Sequence, residues 1–272
     1  MRSAHAAFSR CVAICERHGL ARFAIMNEAM LAIIDTWLGN GDEALQRLAR
    51  SRATARELRH RLAEAMNEEV TGWMLVLQGR FEEAEVFLIH CLALSREIGA
   101  RRYEIMCLLL LARIDHWRRE PGRAREKLNE AWEISGQISH GFIGAAVQGA
   151  MALVAAGDEE RHNALAKGEA LLQEHSIAHC HFWFNRDAIQ VSLESGAWSE
   201  AERYADALEA RMRSEPLPWT EFPVTVARLL AAAGRGDPDR AALRACRAQA
   251  VALRDVAYLP ALDAALARLP PA

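Results

Sequence analysis

The segment Gly79-Arg-Phe-Glu-Glu-Ala84 decides the fold, because the sequence contains it several times in related form. In each version a glycine stands five residues before an alanine, and an acidic residue or an arginine directly precedes that alanine. The other versions are Gly39-Asn-Gly-Asp-Glu-Ala44, Gly196-Ala-Trp-Ser-Glu-Ala201 and Gly236-Asp-Pro-Asp-Arg-Ala241. A segment that recurs at a fixed spacing predicts an architecture built from structural repeats.

The alanines of these segments set the period. They are 40 residues apart in two series, which are Ala44, Ala84 and Ala124, and then Ala201 and Ala241. Between the two series, Gly157 opens a further copy with extra residues before Ala164. The sequence therefore predicts six turns, each joining two helices.

The residues after each turn follow a helical pattern. Leu88, Cys91 and Leu92 lie four, seven and eight positions after Ala84, which places them on one face of a helix. The glycine allows the left-handed backbone that ends one helix, and the small alanine lets the next helix pack closely against it. No alternating segment rich in valine or isoleucine predicts a strand. We expect an all-α fold of antiparallel helix pairs with a period of about 40 residues.

This pattern resembles the tetratricopeptide repeat (TPR) in its longer-helix variant. The turn at Gly79 to Ala84 is close to the family pattern, whereas the turns at Arg119 to Ala124 and Gly157 to Ala164 depart from it. The resemblance implies a right-handed superhelix with a concave inner surface. Over residues 1–272 we expect one TPR-like solenoid, with an orphan helix at about 4–18, six hairpins at about 21–256 and a C-terminal cap at about 258–269.

The composition excludes several classes of protein. Of the 272 residues, 51% are apolar and 25% are charged, and the formal net charge of −3 gives no global basic field for nucleic acid. The densest apolar stretch, Ile105 to Ala112, is much shorter than the roughly 18 residues of a membrane span. The N-terminus lacks the apolar core of a signal peptide. We expect a cytoplasmic protein that binds neither nucleic acid nor membrane, with six free cysteine thiols.

The first helix is predicted to lack a partner. Projecting the period back from Ala44 gives Ala4, with Phe8 and Val12 on the same helical face. This helix would expose an apolar strip unless another element covers it. We therefore expect the chain to be the C-terminal part of a longer protein. We also expect the isolated fragment to form a homodimer through this helix. The alternative is that the helix is a native N-terminal cap.

A narrower resemblance covers most of the chain. The stretches that carry it are Trp183-Phe-Asn-Arg-Asp187-Ala-Ile, Glu200 to Leu208, Glu215-Pro-Leu-Pro-Trp219, Gly39 to Leu45 and Ser95-Arg-Glu-Ile-Gly99. They are similar to the C-terminal helical-repeat region of bacterial multidomain class III adenylate/guanylate cyclases and signal-transduction ATPases. The resemblance implies preceding cyclase or ATPase domains as partners within a parent chain. The sequence has no phosphate-binding loop, so nothing catalytic carries over.

Candidates for site chemistry are few. His175, His179, Cys180 and His181 could bind a metal, since two imidazoles four residues apart and a thiolate suit zinc. The competing interpretation is that they lie in a connection between hairpins and do not converge. Acidic pairs such as Glu68-Glu69 are interpreted as solvated helix faces. No serine or cysteine sits in a nucleophilic motif. We therefore expect no enzyme, cofactor or metal, and a small-molecule or metal-responsive sensor is the alternative function.

The predicted ligand surface comes from the first helix of each pair, which should line the concave face. Alignment by the turn alanines places large side chains at matching positions of three successive units. The predicted groove comprises Met26, Ile33, Trp37, Met66, Trp73, Met106, Arg113, His116, Trp117 and Arg186. Met and Trp offer adaptable surface to a protein or peptide, and the arginines and histidine could orient an acidic group. The alternative is that these side chains fill the interior.

Overall fold

A computed structural model of the protein describes residues 2–174 and 176–269. About 85% of the chain is helical, and no strand occurs in the described ranges. The predicted all-α fold of consecutively packed helices is confirmed. The chain divides into two compact units, unit 1 (Met1–Ile114) and unit 2 (Asp115–Ala272). None of the described helices is long and apolar enough to cross a membrane.

Unit 1 consists of helices that pack mainly on their neighbours in sequence. They are α1 (Arg2–Arg17), α2 (Ala21–Trp37), α3 (Gly41–Glu57), α4 (Arg61–Leu77), α5 (Phe81–Ile98) and α6 (Arg101–Trp117), whose last residues belong to unit 2. Helix α4 packs against α5, α3 and α2. The approach of α4 to α5 is so close that a Cβ on Gly72 would lie 2.5 Å from a methyl carbon of Leu88. An alanine at this crossing would therefore force the Leu88 side chain to shift.

Unit 2 continues the same order of helices. Its elements are α7 (Pro121–Ile138), α8 (His140–Leu153), α9 (Asp158–Glu174), α10 (Ala178–Glu194), α11 (Trp198–Met212), α12 (Pro218–Gly234), α13 (Arg240–Leu253), a 3-10 helix (Val256–Tyr258) and α14 (Leu259–Ala267). Neighbouring helices pack on one another, and α10 also contacts α8 and α12. The C-terminal cap, formed by the 3-10 helix and α14, packs on α13, and α14 also packs on α12.

The turns show why the repeat has a glycine at its centre. Gly79 has φ 71°, a left-handed conformation that glycine adopts without steric cost. Arg119 stands 40 residues later in the same conformation, with φ 60°. The third turn therefore keeps the shape of the repeat although its sequence departs from the pattern.

The turn alanines pack as predicted in most copies, but not in the last. Ala44, Ala84, Ala124 and Ala201 are fully buried. Ala241 is exposed, so the prediction that it is the packing residue of the last pair is wrong. Helix α13 begins only at Arg240, where Asp239 caps it by accepting a hydrogen bond from the amide of Ala242. This late start shifts the buried face of α13 to Leu243, Cys246 and Ala250.

Helix α1 is covered more completely than the sequence predicted. It packs against α2, with Val12 and Cys15 buried and Phe8 half-buried. The Nε2 atom of His5 lies 2.9 Å from an oxygen of the buried Asp35 on α2. The prediction that Val12 belongs to an exposed strip is therefore wrong, because this face of α1 packs on α2. Homodimerisation through α1 stays a prediction.

Candidate functional site

Two predicted groove residues belong to the interior of unit 1. Met66 is 5% exposed and Trp73 is 4% exposed. Both lie on α4, where every residue from Ala65 to Val76 is buried because α2, α3 and α5 pack around this helix. The prediction that these two side chains offer a large binding surface is wrong for this structure, and they belong to the core.

The other predicted residues of unit 1 keep part of their surface. Those that are half-buried are Met26, Ile33, Trp37, Met106 and Arg113. Met26 also packs against a core cluster formed by Ile25, Ala55 and Ala63. A ligand-binding role for these side chains stays a prediction, and for Met26 the packing gives a structural reason for the residue.

Arg186 has a structural role in place of the predicted contact with a ligand. Its side chain is buried, and its Nη2 atom donates to Oδ2 of the buried Asp255 at 2.5 Å. Nη1 donates to the carbonyl oxygen of Trp219 at 2.9 Å, and the guanidinium lies 4.4 Å from the centre of the Trp219 ring. The hydroxyl of Tyr258 in turn donates to the carbonyl oxygen of Arg186. Arg186 therefore ties α10 to the C-terminal cap and is not open to a ligand.

Unit 2 contains a cavity that brings two predicted groove residues together. This cap cavity has a volume of about 640 Å³ and includes His116 and Trp117, which are both half-buried. Its lining residues are His116, Trp117, Arg119, Pro121, Leu153, Val154, Ala155, Gln190, Leu193, Glu194, Ala257, Tyr258, Pro260 and Ala261. They come from the C-terminal ends of α6, α8 and α10, the start of α7 and the C-terminal cap. The cap cavity combines apolar walls with hydrogen-bonding groups, as ligand sites commonly do.

The predicted histidine and cysteine site is not assembled by the residues that the structure describes. His175 lies outside the described residues. The thiol of the buried Cys180 donates to the carbonyl oxygen of Phe142 at 2.9 Å, while His179 packs edge-on against the Phe142 ring. Burial, and to a smaller extent the charge of Arg211, lowers the pKa of His181. These three residues are consecutive on α10 and each has a different environment.

One group with metal-ligand geometry does occur in the described residues, and the sequence did not predict it. Glu64 and Glu68 on α4 converge with His90 on α5. Arg56 already bridges both carboxylates, with Nε 2.7 Å from Glu64 and Nη2 2.7 Å from Glu68. The other oxygen of Glu68 lies 2.5 Å from Nδ1 of His90. The guanidinium already pairs with both carboxylates that a cation would need, so we interpret the group as an ion-pair network.

The prediction that Glu68 and Glu69 belong to a solvated helix face is also wrong. Both side chains are buried, so they do not form a solvated face. Glu69 is 8% exposed, and burial raises the pKa of its carboxyl group to about 7, although the nearby charge of Arg102 partly opposes this shift. The sequence around Glu68 and Glu69 does not distinguish them from exposed acidic residues, because their burial depends on the helices that pack around α4.

The raised pKa of Glu69 predicts a loss of stability as pH rises. In the unfolded chain the carboxyl group ionises near pH 4.3, whereas in the folded chain it keeps its proton up to about pH 7. Between these values the unfolded state releases the proton first, so the free energy of unfolding should fall by about 3 kcal/mol from pH 4.3 to pH 7 through this group. Urea denaturation at several pH values should show this fall in the native chain.

The control is Glu69→Gln, which keeps the shape and removes the ionisation. The difference in unfolding free energy between the two proteins should grow from pH 4.3 to pH 7 and favour the glutamine variant at high pH. Parallel pH profiles of the two proteins would show that Glu69 is ionised in the folded state.

Burial makes two of the cysteine thiols weak nucleophiles. All six are free thiols, and all but Cys11 are buried. Burial raises the pKa of Cys246 to about 11 and raises that of Cys107 well above its ordinary value, where a hydrogen bond with Cys91 adds to the effect. A thiol with a raised pKa stays protonated at neutral pH and is a weak nucleophile.

No protein-family model matches the chain, and a search among curated proteins finds no match.

Proposed function

We propose that this chain is a non-catalytic binding or regulatory module, and that the cap cavity of unit 2 contacts a protein or peptide ligand. The observation that carries the proposal is the position of Trp117 and His116 in an open cavity of about 640 Å³. Partly exposed tryptophan, beside aliphatic and hydrogen-bonding side chains, is typical of the residues that dominate binding energy at protein interfaces.

The packing around the cap cavity favours a preformed site. Its walls come from the ends of helices, and Tyr258 is fixed by its hydrogen bond to Arg186 and by ring packing on Phe222. Arg186 is therefore a positioning residue in this proposal, because it holds the C-terminal cap that carries Tyr258. A site built on packed helices loses little conformational entropy when a ligand binds.

The resemblance to cyclase and ATPase accessory regions supports a regulatory form of the same proposal. In that form, the helical repeats would pass a signal to domains that precede them in a parent chain. The small-molecule sensor is the second candidate, and a different cavity of unit 2, lined by Trp132 and Gln148, favours it. The metal-responsive version has less support, because Cys180 donates to a backbone carbonyl and the Glu64, Glu68 and His90 group is occupied by Arg56.

The test uses peptides selected from a random library against the full chain. Trp117→Ala should lower the affinity of the selected peptides about 30-fold, equivalent to about 2 kcal/mol, because an interface tryptophan often contributes this much. The melting temperature should change little, since Trp117 is only half-buried. Binding is measured by fluorescence polarisation with labelled peptides.

The matched control is Phe23→Ala, which removes an exposed aromatic ring in unit 1, 66% accessible to solvent. This variant should bind the selected peptides with unchanged affinity. A library that yields no binding peptide, or peptides that bind the Trp117→Ala variant as tightly as the native chain, would contradict the proposal.

A further inference from the structure

A second cavity of unit 2 lies over α8, between α7 and α9. This α8 cavity has a volume of about 890 Å³, within the range of small-molecule sites. The side chains that matter for its chemistry are Arg125, Trp132, Gln148, Met151, Val154 and Lys167. It shares only Val154 with the cap cavity, so the two are distinct places on the surface of unit 2.

The repeat explains why this cavity exists. Ala84 and Ala164 occupy equivalent positions 80 residues apart, so the end of α4 at Leu77 corresponds to Gly157. Helix α8 ends at Leu153, one turn earlier, and a loop takes the place of its last turn. The shortened helix leaves open space beside the start of α9.

The equivalent place in unit 1 is filled by the protein's own side chains. There Arg52 on α3 lies over the ring of Phe87 on α5, with 4.5 Å between the guanidinium carbon and the ring centre. The same positions in unit 2 are Trp132 and Lys167. Both line the α8 cavity, so the filled site of one unit corresponds to an open site in the other.

Gln148 is the feature that points to a ligand. Its side chain is 3% exposed, and it makes no hydrogen bond within the described residues. A carboxamide carries a donor and an acceptor side by side. In the described structure neither polar atom of Gln148 belongs to the buried atoms that lack a partner, so both stay accessible from the cavity. Because Gln148 lines the cavity, a ligand with a matching edge could satisfy both groups at once.

The remaining walls favour an uncharged ligand with a flat face. The Trp132 ring lines the cavity, and His140 stacks on one of its two faces at 3.9 Å. Arg125 forms an ion pair with Glu160, and Arg161 pairs with Asp158. Lys167 and Glu159, also in the lining, carry opposite charges. The site therefore has no excess of either charge to select an ion.

We propose that the α8 cavity binds a small, uncharged, planar compound whose edge carries an adjacent hydrogen-bond donor and acceptor. The carboxamide of Gln148 pairs with that edge, and the flat face packs against Trp132. Nucleobases and planar primary amides both have this chemistry; glutamine, for example, pairs in this bidentate way with the edge of adenine.

The test compares two pairs of uncharged probes by isothermal titration calorimetry on the full chain. Adenine is compared with purine, which lacks the amino donor, and nicotinamide with pyridine, which lacks the amide. We expect adenine or nicotinamide to bind with a Kd of about 1 mM or below, at least tenfold more tightly than its partner probe. If adenine binds more tightly than nicotinamide, the ligand is a nucleobase; if nicotinamide binds more tightly, the ligand is a planar amide. Absence of binding by both, or equal binding within each pair, overturns the proposal.

A substitution separates binding from structural effects. Gln148→Leu keeps the volume and removes the donor and acceptor, so it should weaken binding of the preferred probe at least tenfold. Its melting temperature should stay about the same, because the substitution removes no hydrogen bond to the described residues. Gln173→Leu makes the same change at an exposed position of α9 and should leave binding unchanged. A Gln148→Leu variant that binds the probe normally, or that is destabilised as if a hydrogen bond were lost, overturns the proposal.

Discussion

Replacing Arg186 with methionine is expected to lower the free energy of unfolding of unit 2 by about 3–5 kcal/mol, because it leaves the buried carboxylate of Asp255 without its partner. The ion pair joins α10 to the residue that caps the 3-10 helix at the C-terminus. The same guanidinium also packs on the Trp219 ring and donates to its backbone carbonyl. Urea denaturation followed by circular dichroism measures the loss.

A double variant distinguishes charge from packing. If the penalty comes mainly from the unpaired carboxylate, combining Arg186→Met with Asp255→Leu should recover much of the lost stability, since apolar pairs often replace buried ion pairs at little cost. The control is Arg247→Met, which breaks the exposed ion pair with Asp263 and should change the free energy of unfolding only slightly. A loss of that small size for Arg186→Met would show that Asp255 is solvated.

The same substitution connects stability to the proposed binding function. Tyr258 lines the cap cavity and depends on the carbonyl oxygen of Arg186 and on the packing of the C-terminal cap. Loosening this cap should weaken peptide binding even though Arg186 does not reach the ligand. The ion pair between Arg186 and Asp255 joins residues 69 positions apart. An arginine on a first helix gives no sign in the sequence of so distant a partner, which is why Arg186 was predicted to line the groove.

The fold was predictable because its signals are local and repeated. A glycine that ends one helix and an alanine that lets the next pack closely recur often enough to reveal the helix pairs, and Arg119 keeps the left-handed turn where the glycine is replaced. The length of α8 was not predictable in this way. It ends one turn early at Leu153 in a segment with no strong helix-stopping residue until Gly157, and this early end creates the α8 cavity.

The site was harder to predict than the fold, because periodicity identifies which residues share a helical face and does not identify what covers that face. Met66 and Trp117 fit the same pattern, yet Met66 is buried within unit 1 and Trp117 borders an open cavity. The buried acids of α4 illustrate the same limit. Glu68 and Glu69 look like ordinary surface residues until the helices around α4 are in place.

Trp73→Ala is the substitution that tests this distinction most directly. Trp73 is buried on α4, and removing a buried tryptophan costs about 3–5 kcal/mol through lost apolar contact and the cavity that remains. The free energy of unfolding of the variant should fall by that amount. Circular dichroism at 222 nm is the appropriate measurement, because the substitution itself alters tryptophan fluorescence.

Trp37→Ala is the matched comparison, since Trp37 also lies on a first helix of unit 1 but is only half-buried. Its loss of stability should be clearly smaller, because less apolar area returns to water and the space it leaves opens to solvent. Selected peptides should bind the folded Trp73→Ala chain with native affinity, because a core residue contributes to stability and makes no contact with a ligand. The opposite result would be a Trp73→Ala variant that is as stable as the native chain and binds the peptides about 30-fold more weakly. It would show that Trp73 contacts the ligand and that α4 is less enclosed than its packing indicates.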